Sequence, residues 1–266
     1  MERKTLLDIF GIVVNVAAIV IAATTESLLA RIIAISVFLV FVGLLIFARV
    51  KPQKKPQVPV NFHLERPLSI LPANREDICW IVQKAASVYK PLDVMPLNLM
   101  LEWFENNPTG FYIFKDGTGH RYGNLDILPI KPRFLQLLLK GTLIEREIAG
   151  DFLYKPVESH LIDSLYIESL VSDRMFATYQ CLMNVPSIVE GICEPAQVKA
   201  IYALEASQAG LNLIEDLGFE MIEDGSKRRD KHKVFCATLR GLIEGVCKHA
   251  LNDDRVKCRD FLKRIS

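Results

Sequence analysis

The chain has 266 residues, enough for one large domain or two small ones, and 50% of them are hydrophobic. Its formal net charge is +1, so nothing in the composition indicates a nucleic-acid partner. The six cysteines contain no Cys-x-x-Cys pair, which fits free thiols in a reducing compartment better than a disulfide framework or a zinc site.

The hydrophobic excess lies in the first 50 residues. Two runs without charged side chains, residues 9–25 and 32–48, are each long enough to cross the hydrocarbon core of a bilayer. Only a short turn separates them, so we expect an antiparallel transmembrane hairpin over residues 1–50. Lysines and arginines flank both outer ends, which by the positive-inside rule places both ends and the soluble part on the cytoplasmic side of the inner membrane. A cleaved signal peptide and a buried soluble hairpin are the alternatives.

Residues 51–67 hold four prolines among lysines and glutamines, which excludes a helix and predicts an extended tether. From residue 68 onward the hydrophobic periodicity predicts alternating strands and helices. The predicted strands are 68–70, 111–114, 122–130, 162–171, 198–204, 219–222 and 234–239. The predicted helices are 75–89, 96–106, 134–139, one beginning near Arg174, 208–217 and 240–265. Asn74 is predicted to cap the first helix, and residues 144–148 fit strand or coil equally well.

The segment 162–182 predicts a strand that passes directly into a helix. The free N–H groups at the start of a helix suit an anion such as a phosphate. An ordinary strand–turn–helix unit without a ligand is the alternative at this position.

Four segments, taken in order, resemble the GCN5-related N-acetyltransferase (GNAT) family over residues 68–239. They are the hairpin of 111–114 with 123–130, the strands 165–171 and 198–207, and the helix that closes on Leu217-Gly218-Phe219. The resemblance implies an α/β (α+β) fold with a mixed, mostly antiparallel central sheet flanked by helices. In this chain that domain would follow the transmembrane hairpin and the linker, and a helical tail over residues 240–266 would follow the domain.

In this family the fourth and fifth strands splay apart, and the pantetheine arm of acetyl-CoA pairs with the exposed edge of the fourth strand. The resemblance therefore implies transfer of an acetyl or other acyl group from CoA to an amine acceptor, which the sequence does not identify. Glu168 is the candidate general base. The implied CoA-binding residues are Leu170, Val171, Ser172, Arg174, Met175, Ala177 and Ser207.

The chain departs from the family pattern at two positions. The phosphate loop of the family is rich in glycine, whereas residues 172–179 contain none. Ile214 stands where the family has a proton-donating tyrosine, which leaves Tyr202 or Tyr179 as candidate replacements. A domain that binds CoA, an acyl group or a protein partner in a regulatory role, without transfer, is therefore the second interpretation.

Two polar positions near the implied site have open roles in the sequence. Ser207 fits a CoA contact and a helix cap equally well. Glu145 and Glu147 fit either the acceptor side of the site or solvated residues at the end of an element.

Overall fold

The computed structural model describes residues 68–250 and 252–265. The predicted transmembrane hairpin, residues 1–50, and the predicted linker lie outside these residues. None of the helices in the described ranges combines the length and the apolar character that a membrane span requires. The described residues form one seven-stranded mixed sheet with helices on both faces, which confirms the predicted α/β class.

The observed elements follow the predicted order and differ from the predicted bounds by a few residues, except that the predicted helix 240–265 is two helices, Leu239–His249 and Asn252–Arg264. The strands are β1 (Ser69–Pro72), β2 (Phe111–Lys115), β3 (Arg121–Leu128), β4 (Ser164–Ser172), β5 (Ala200–Leu204), β6 (Glu220–Glu223) and β7 (Val234–Ala237). The helices are α1 (Arg75–Val88), α2 (Leu97–Asn106), α3 (Pro132–Leu139), α4 (Met175–Ile192), α5 (Gln208–Asp216), α6 (Leu239–His249) and α7 (Asn252–Arg264). Short 3-10 helices lie at Pro108–Gly110, Glu145–Glu147, Gly150–Phe152, Pro156–Leu161 and Pro195–Gln197.

The sheet has the strand order β1-β2-β3-β4-β5-β7-β6. All neighbouring strands are antiparallel except β4 and β5, which are parallel and are connected through α4. The mostly antiparallel mixed sheet is thus as predicted. The one parallel pair lies in the middle of the sheet. Parallel strands need a crossover connection, and α4 supplies it here.

Alternating side chains of the strands pack into two separate cores, one on each face of the sheet. In β2, Phe111 and Ile113 pack with α1, α2 and α3, whereas Tyr112 and Phe114 pack with α4, α6 and α7. The residues predicted as a helical tail therefore contribute buried apolar side chains, among them Phe261, to the same core as α4.

Gly123 allows β3 and β4 to approach closely. A Cβ atom at this position would lie 2.2 Å from the carbonyl oxygen of Val171, a distance that no side chain tolerates. Only glycine fits such an approach of two backbones. The packing of β3 against the end of β4 therefore requires glycine at position 123.

The buried carboxylate of Asp77 connects α1 to β2 and β3. Asp77 and Asn74 form a reciprocal capping box at the start of α1, which confirms the predicted cap. The same carboxylate binds the Lys115 ammonium at 2.8 Å and accepts a hydrogen bond from the Arg121 Nε at 2.8 Å. Burial by itself raises the pKa of Asp77, but these hydrogen bonds outweigh burial and hold the pKa below its usual value.

Replacement of Asp77 by asparagine is expected to lower the free energy of unfolding by roughly 3 kcal/mol at neutral pH, because two cations lose their buried partner. A carboxylate with a lowered folded-state pKa stabilises the fold above its unfolded pKa, and this contribution is lost as the pH falls through the folded pKa. Urea unfolding should thus show a smaller difference between the two proteins in acid. Asp260→Asn, which removes an exposed pair with Lys263, is the control. Equal losses in the two variants would contradict the assignment.

Candidate functional site

The parallel pairing of β4 with β5 stops halfway along β4. It begins at Ser164 opposite Ala200 and ends at Ile167 opposite Ala203. Beyond this point β4 continues to Ser172 and pairs only with β3. A gap therefore opens inside the sheet between the second half of β4 and the end of β5.

A β-bulge at Glu168 marks the start of this gap. Asp126 of β3 pairs with Ser169, and the next residue, Ile127, pairs with Ile167, so Glu168 is an extra residue in β4. A bulge bends its strand and redirects a side chain. The bulge lies directly after the last residue of β4 that pairs with β5. It therefore separates β4 from β5 and places the Glu168 carboxylate at the gap.

The second half of β4 presents unpaired backbone groups to the gap. The Asp173 N–H donates to the carbonyl oxygen of Tyr122 at 2.8 Å, on the side of β3. Alternate residues of a strand direct their backbone groups to opposite edges, so the backbone of Val171 also faces β3. The backbone groups of Leu170 and Ser172 face the gap, and none of the described strands pairs with them there. Such an edge can pair with an extended ligand.

An open cleft lies over the gap on the face covered by α4 and α5. Its lining is mostly apolar and includes Ile167, Leu170, Leu182, Val185 and Ile214. A long, flexible ligand with few charges would bury much of its surface here.

A second, more polar cavity lies on the opposite face, beside α1 and α2. Glu168 and Ser169 of β4 and Tyr89 line both the cleft and this cavity, together with Leu204 of β5 and Ala206 after it. The two cavities therefore meet at the gap. A group held at the gap would be accessible to one reactant from each face.

Four carboxyl groups line the polar cavity, and one of them, Asp93, lies 3.3 Å from the His232 Nε2. The other three are called here the acidic trio: Asp126, Glu145 and Glu168. Burial raises the pKa of Glu168 well above its usual value, and the charges of Glu145 and Asp126 raise it further. Burial likewise raises the pKa of Asp126, although a hydrogen bond from Asn124 opposes the shift. Burial also raises the pKa of Glu145, against the hydrogen bond donated by the Tyr166 hydroxyl. A carboxyl group with a raised pKa is suited to accept a proton in acid–base catalysis.

Tyr89 is a site residue that sequence reasoning missed. It is the C-cap of α1, and its hydroxyl lies within hydrogen-bonding reach of Ser169. Burial raises the pKa of Tyr89, and the Glu168 charge raises it further, so the phenol keeps its proton. A tyrosine directly before a loop carries no local signal of this role, because its position depends on how α1 packs across β4.

The predicted phosphate-binding residues lie at the start of α4, outside the lining of the cleft. The Arg174 carbonyl already accepts hydrogen bonds from the N–H groups of Ala177 and Thr178, at 3.0 and 3.3 Å. Ala177 is fully buried, whereas Arg174 and Met175 are exposed. No side chain caps α4, so the N–H groups available to a ligand are those of Met175 and Phe176.

The other candidate residues have defined positions. Ser207 caps α5 by accepting a hydrogen bond from the Gly210 N–H at 3.1 Å, and it also lines the cleft, so both of its expected roles fit. Of the candidate tyrosines, Tyr179 donates to Asp254 at 3.2 Å and Tyr202 contacts Cys236; neither lines the two cavities described above.

The chain matches no family model and no curated protein sequence. Solved structures that it resembles include acetyltransferases of the GNAT family. One is a GphF GNAT-like decarboxylase in complex with isobutyryl-CoA, with 14% identity, a TM-score of 0.46, and coverage of 64% of this chain and 99% of the other. Another is Ard1 from Thermoplasma volcanium, with 11% identity, a TM-score of 0.42, and coverage of 64% and 97%. At such identities and TM-scores these likenesses carry no argument about activity, which has to come from the residues of the site.

Proposed function

We propose that the described domain is a GNAT-like acyltransferase that moves an acetyl or other acyl group from CoA to an amine. The observation that carries this proposal is the gap between β4 and β5, which joins an apolar cleft on one face to an acidic cavity on the other, with Glu168 at the junction. Acyl transfer from a thioester to an amine has three requirements: a separate entrance for each reactant, a backbone N–H that binds the carbonyl oxygen, and a base. All three are present at this gap.

The thioester fits the side of the cleft. The amide groups of a pantetheine arm can pair with the backbone groups of Leu170 and Ser172 as a further strand would. The pyrophosphate of CoA would lie at the start of α4, where the N–H groups of Met175 and Phe176 and the exposed Arg174 offer donors and positive charge.

The reaction then uses three groups around the gap. Glu168 accepts a proton from the bound ammonium, and the free nitrogen attacks the thioester carbonyl carbon. The Leu170 N–H, directed into the gap, stabilises the negative charge that develops on the carbonyl oxygen. As the carbonyl re-forms, the C–S bond breaks and the thiolate takes the proton of the Tyr89 hydroxyl. The Tyr89 oxygen then takes the second proton of the attacking nitrogen, which restores the phenol. The products are an amide and CoA with a free thiol.

Calorimetric titration of the full chain with acetyl-CoA tests the binding step, and release of free thiol with a panel of amines tests the transfer step. We expect binding with acetyl-CoA and thiol release that depends on the amine. Absence of heat with acetyl-CoA would remove the CoA-dependent function altogether.

A domain that binds CoA without transfer is the second candidate, and the start of α4 favours it. There the Ala177 N–H is already bonded to Arg174, and residues 172–179 offer no glycine for a close approach of the backbone to phosphates. Binding of acetyl-CoA without thiol release by any amine would support this candidate over the enzyme.

Arg174→Ala is expected to weaken CoA binding roughly 5- to 10-fold, because an exposed charge-assisted contact to a phosphate contributes about 1 kcal/mol. The catalytic rate at saturating CoA should change little, since Arg174 lines neither cavity and is not one of the three reacting groups. Calorimetry and steady-state kinetics measure the two quantities. Lys199→Ala, another exposed cation, is the control and should bind CoA like the unmodified chain. An unchanged affinity in the Arg174 variant would place the phosphates elsewhere.

We further propose that residues 1–50 anchor the chain in the inner membrane with the domain on the cytoplasmic side. Two uncharged runs of membrane-spanning length and the flanking cations support this anchoring. After expression in bacteria, the full chain should stay in the membrane pellet through an alkaline carbonate wash. Recovery of the full chain in the soluble fraction would contradict the anchor.

A further inference from the structure

We propose that the amine acceptor is a small aliphatic diamine, with one nitrogen meeting Glu168 and the second held as an ammonium by Asp126 and Glu145. The inference rests on the proposed acyltransfer and names the substrate class of that same site. It concerns the polar cavity on the α1 and α2 face, whereas the CoA thioester occupies the opposite face.

The carboxylate of Asp126 is the central observation. Asp126 is completely buried, and its Oδ2 accepts a hydrogen bond from the Asn124 Nδ2 at 2.8 Å. Its Oδ1 has no protein partner, although it is buried and Asp126 lines the cavity. Buried polar atoms are nearly always paired, and an unpaired one costs roughly 1–3 kcal/mol. A ligand that donates hydrogen bonds into this cavity would remove that cost.

The basic side chains at and beside the cavity are already bound to other groups. His232 contacts the Glu205 carbonyl oxygen at 2.5 Å through Nδ1 and Asp93 at 3.3 Å through Nε2. Arg228 is buried and forms a bidentate pair with Asp230 at 2.5–2.9 Å. Within the described residues, no salt bridge neutralises any member of the acidic trio. The cavity therefore combines three acidic groups with a deficit of positive charge.

The remaining walls define the shape of the ligand. Ile81, Val82, Met95 and Met100 give the cavity apolar surface between its carboxyl groups. Methylene groups fit such walls, whereas hydroxyl or amide groups along the ligand would lose their hydrogen bonds to water. An ammonium carries three donors and no acceptor, which matches carboxylate oxygens alone. A short aliphatic chain with an amine at each end satisfies both parts of the cavity.

The reaction on such a ligand is balanced. The ammonium near Glu168 gives one proton to that carboxylate, and the resulting lone pair forms the new C–N bond as the C–S bond breaks. The departing thiolate takes the proton of the Tyr89 hydroxyl, and the Tyr89 oxygen takes the second proton of the attacking nitrogen. The second ammonium stays charged between Asp126 and Glu145 and takes no part in the bond changes. Its charge also favours the ionised forms of the acidic trio, so binding should displace protons from these carboxyl groups.

Direct binding to the full chain tests the inference without any turnover. The probes are 1,4-diaminobutane and n-butylamine, which share the aliphatic chain and differ in the second charge. By calorimetry we expect the diamine to bind at least tenfold more tightly. We also expect its heat to differ between buffers of different ionisation enthalpy, as proton release requires. Equal affinities for the two amines would overturn the proposal.

Asp126→Asn keeps the size of the side chain and removes its charge. It should weaken diamine binding about tenfold and reduce the preference for the diamine over butylamine, and Glu145→Gln should show the same loss of preference if the first variant does not fold. Glu244→Gln, an exposed carboxylate on α6, is the matched control and should bind the diamine normally. Unaltered diamine binding in both trio variants would overturn the proposal.

The proposed acyltransfer and the proposed diamine site can each be wrong without the other. A chain that binds acetyl-CoA and transfers to amines without preferring the diamine is an acyltransferase for which the present inference is wrong. A chain that fails to bind acetyl-CoA but selects the diamine through Asp126 supports the cation site and removes the acyltransfer.

Discussion

Replacement of Glu168 by glutamine is expected to lower kcat for acyl transfer by about 10²–10⁴-fold, the usual contribution of a general base. The carboxylate is the extra residue of the β4 bulge and lines both cavities, so it is the proton acceptor closest to the meeting point of thioester and amine. Glutamine has nearly the same shape and cannot accept a proton. Affinity for acetyl-CoA should stay within about twofold, because the cleft and the β4 edge are unchanged. Steady-state kinetics and calorimetry separate the two effects.

The pH profile gives this prediction a second readout. Burial, with the charges of Glu145 and Asp126, raises the pKa of Glu168, and only the deprotonated form can act as the base. The value of kcat/KM should therefore rise with pH and reach its plateau at a higher pH than an ordinary carboxyl group would give. The glutamine variant should lose this limb of the profile. Glu215→Gln, an exposed residue of α5, is the control.

Two outcomes decide the role of Glu168. The melting temperature of Glu168→Gln should not fall, because an amide has no charged form that burial disfavours. A folded variant with unimpaired turnover would remove Glu168 as the base. Loss of CoA binding together with turnover would assign the residue to the structure of the gap and not to proton transfer.

The sequence was sufficient for the elements whose signals are local. Asn74 followed three residues later by Asp77 specifies the start of α1, and the structure shows the reciprocal capping box. The apolar pattern of 162–171 predicted a strand that passes directly into a helix, and the structure shows this unit as β4 and α4. Periodicity, caps and turn residues act over a few positions, so these predictions needed no knowledge of the packing.

The site depends on relations that no short segment contains. The bulge at Glu168 becomes visible only when β4 is paired with β3, because the register shift belongs to the pair. Asp126 alternates with apolar neighbours like any solvated residue of a strand, yet α1 and α2 bury it completely. The sequence left two positions open for Glu145, the acceptor side of the site or solvent, and the fold places it in the same cavity as Asp126. Burial and charge proximity, which set the chemistry of these groups, are tertiary properties.

Tyr89→Phe is expected to lower kcat by about 10²-fold or more, because the departing thiolate of CoA loses its proton donor. The Tyr89 hydroxyl lies at the meeting point of the two cavities, within reach of Ser169, and burial raises its pKa so that it holds a proton to donate. Phenylalanine preserves the ring and its packing against α1. CoA affinity should remain within about twofold of the unmodified chain, as measured by calorimetry.

A leaving group that needs no proton distinguishes this role from a structural one. With S-phenyl thioacetate the departing thiolate is stable as an anion, so the defect of the phenylalanine variant should shrink towards the unmodified rate. A defect of the same size with both thioesters would contradict proton donation and indicate a loss of positioning. Tyr202→Phe and Tyr179→Phe are the matched controls, since both hydroxyls contact other groups away from the two cavities. If either control loses activity and Tyr89→Phe does not, that control tyrosine is the proton donor to the departing thiolate, and the assignment of Tyr89 is wrong.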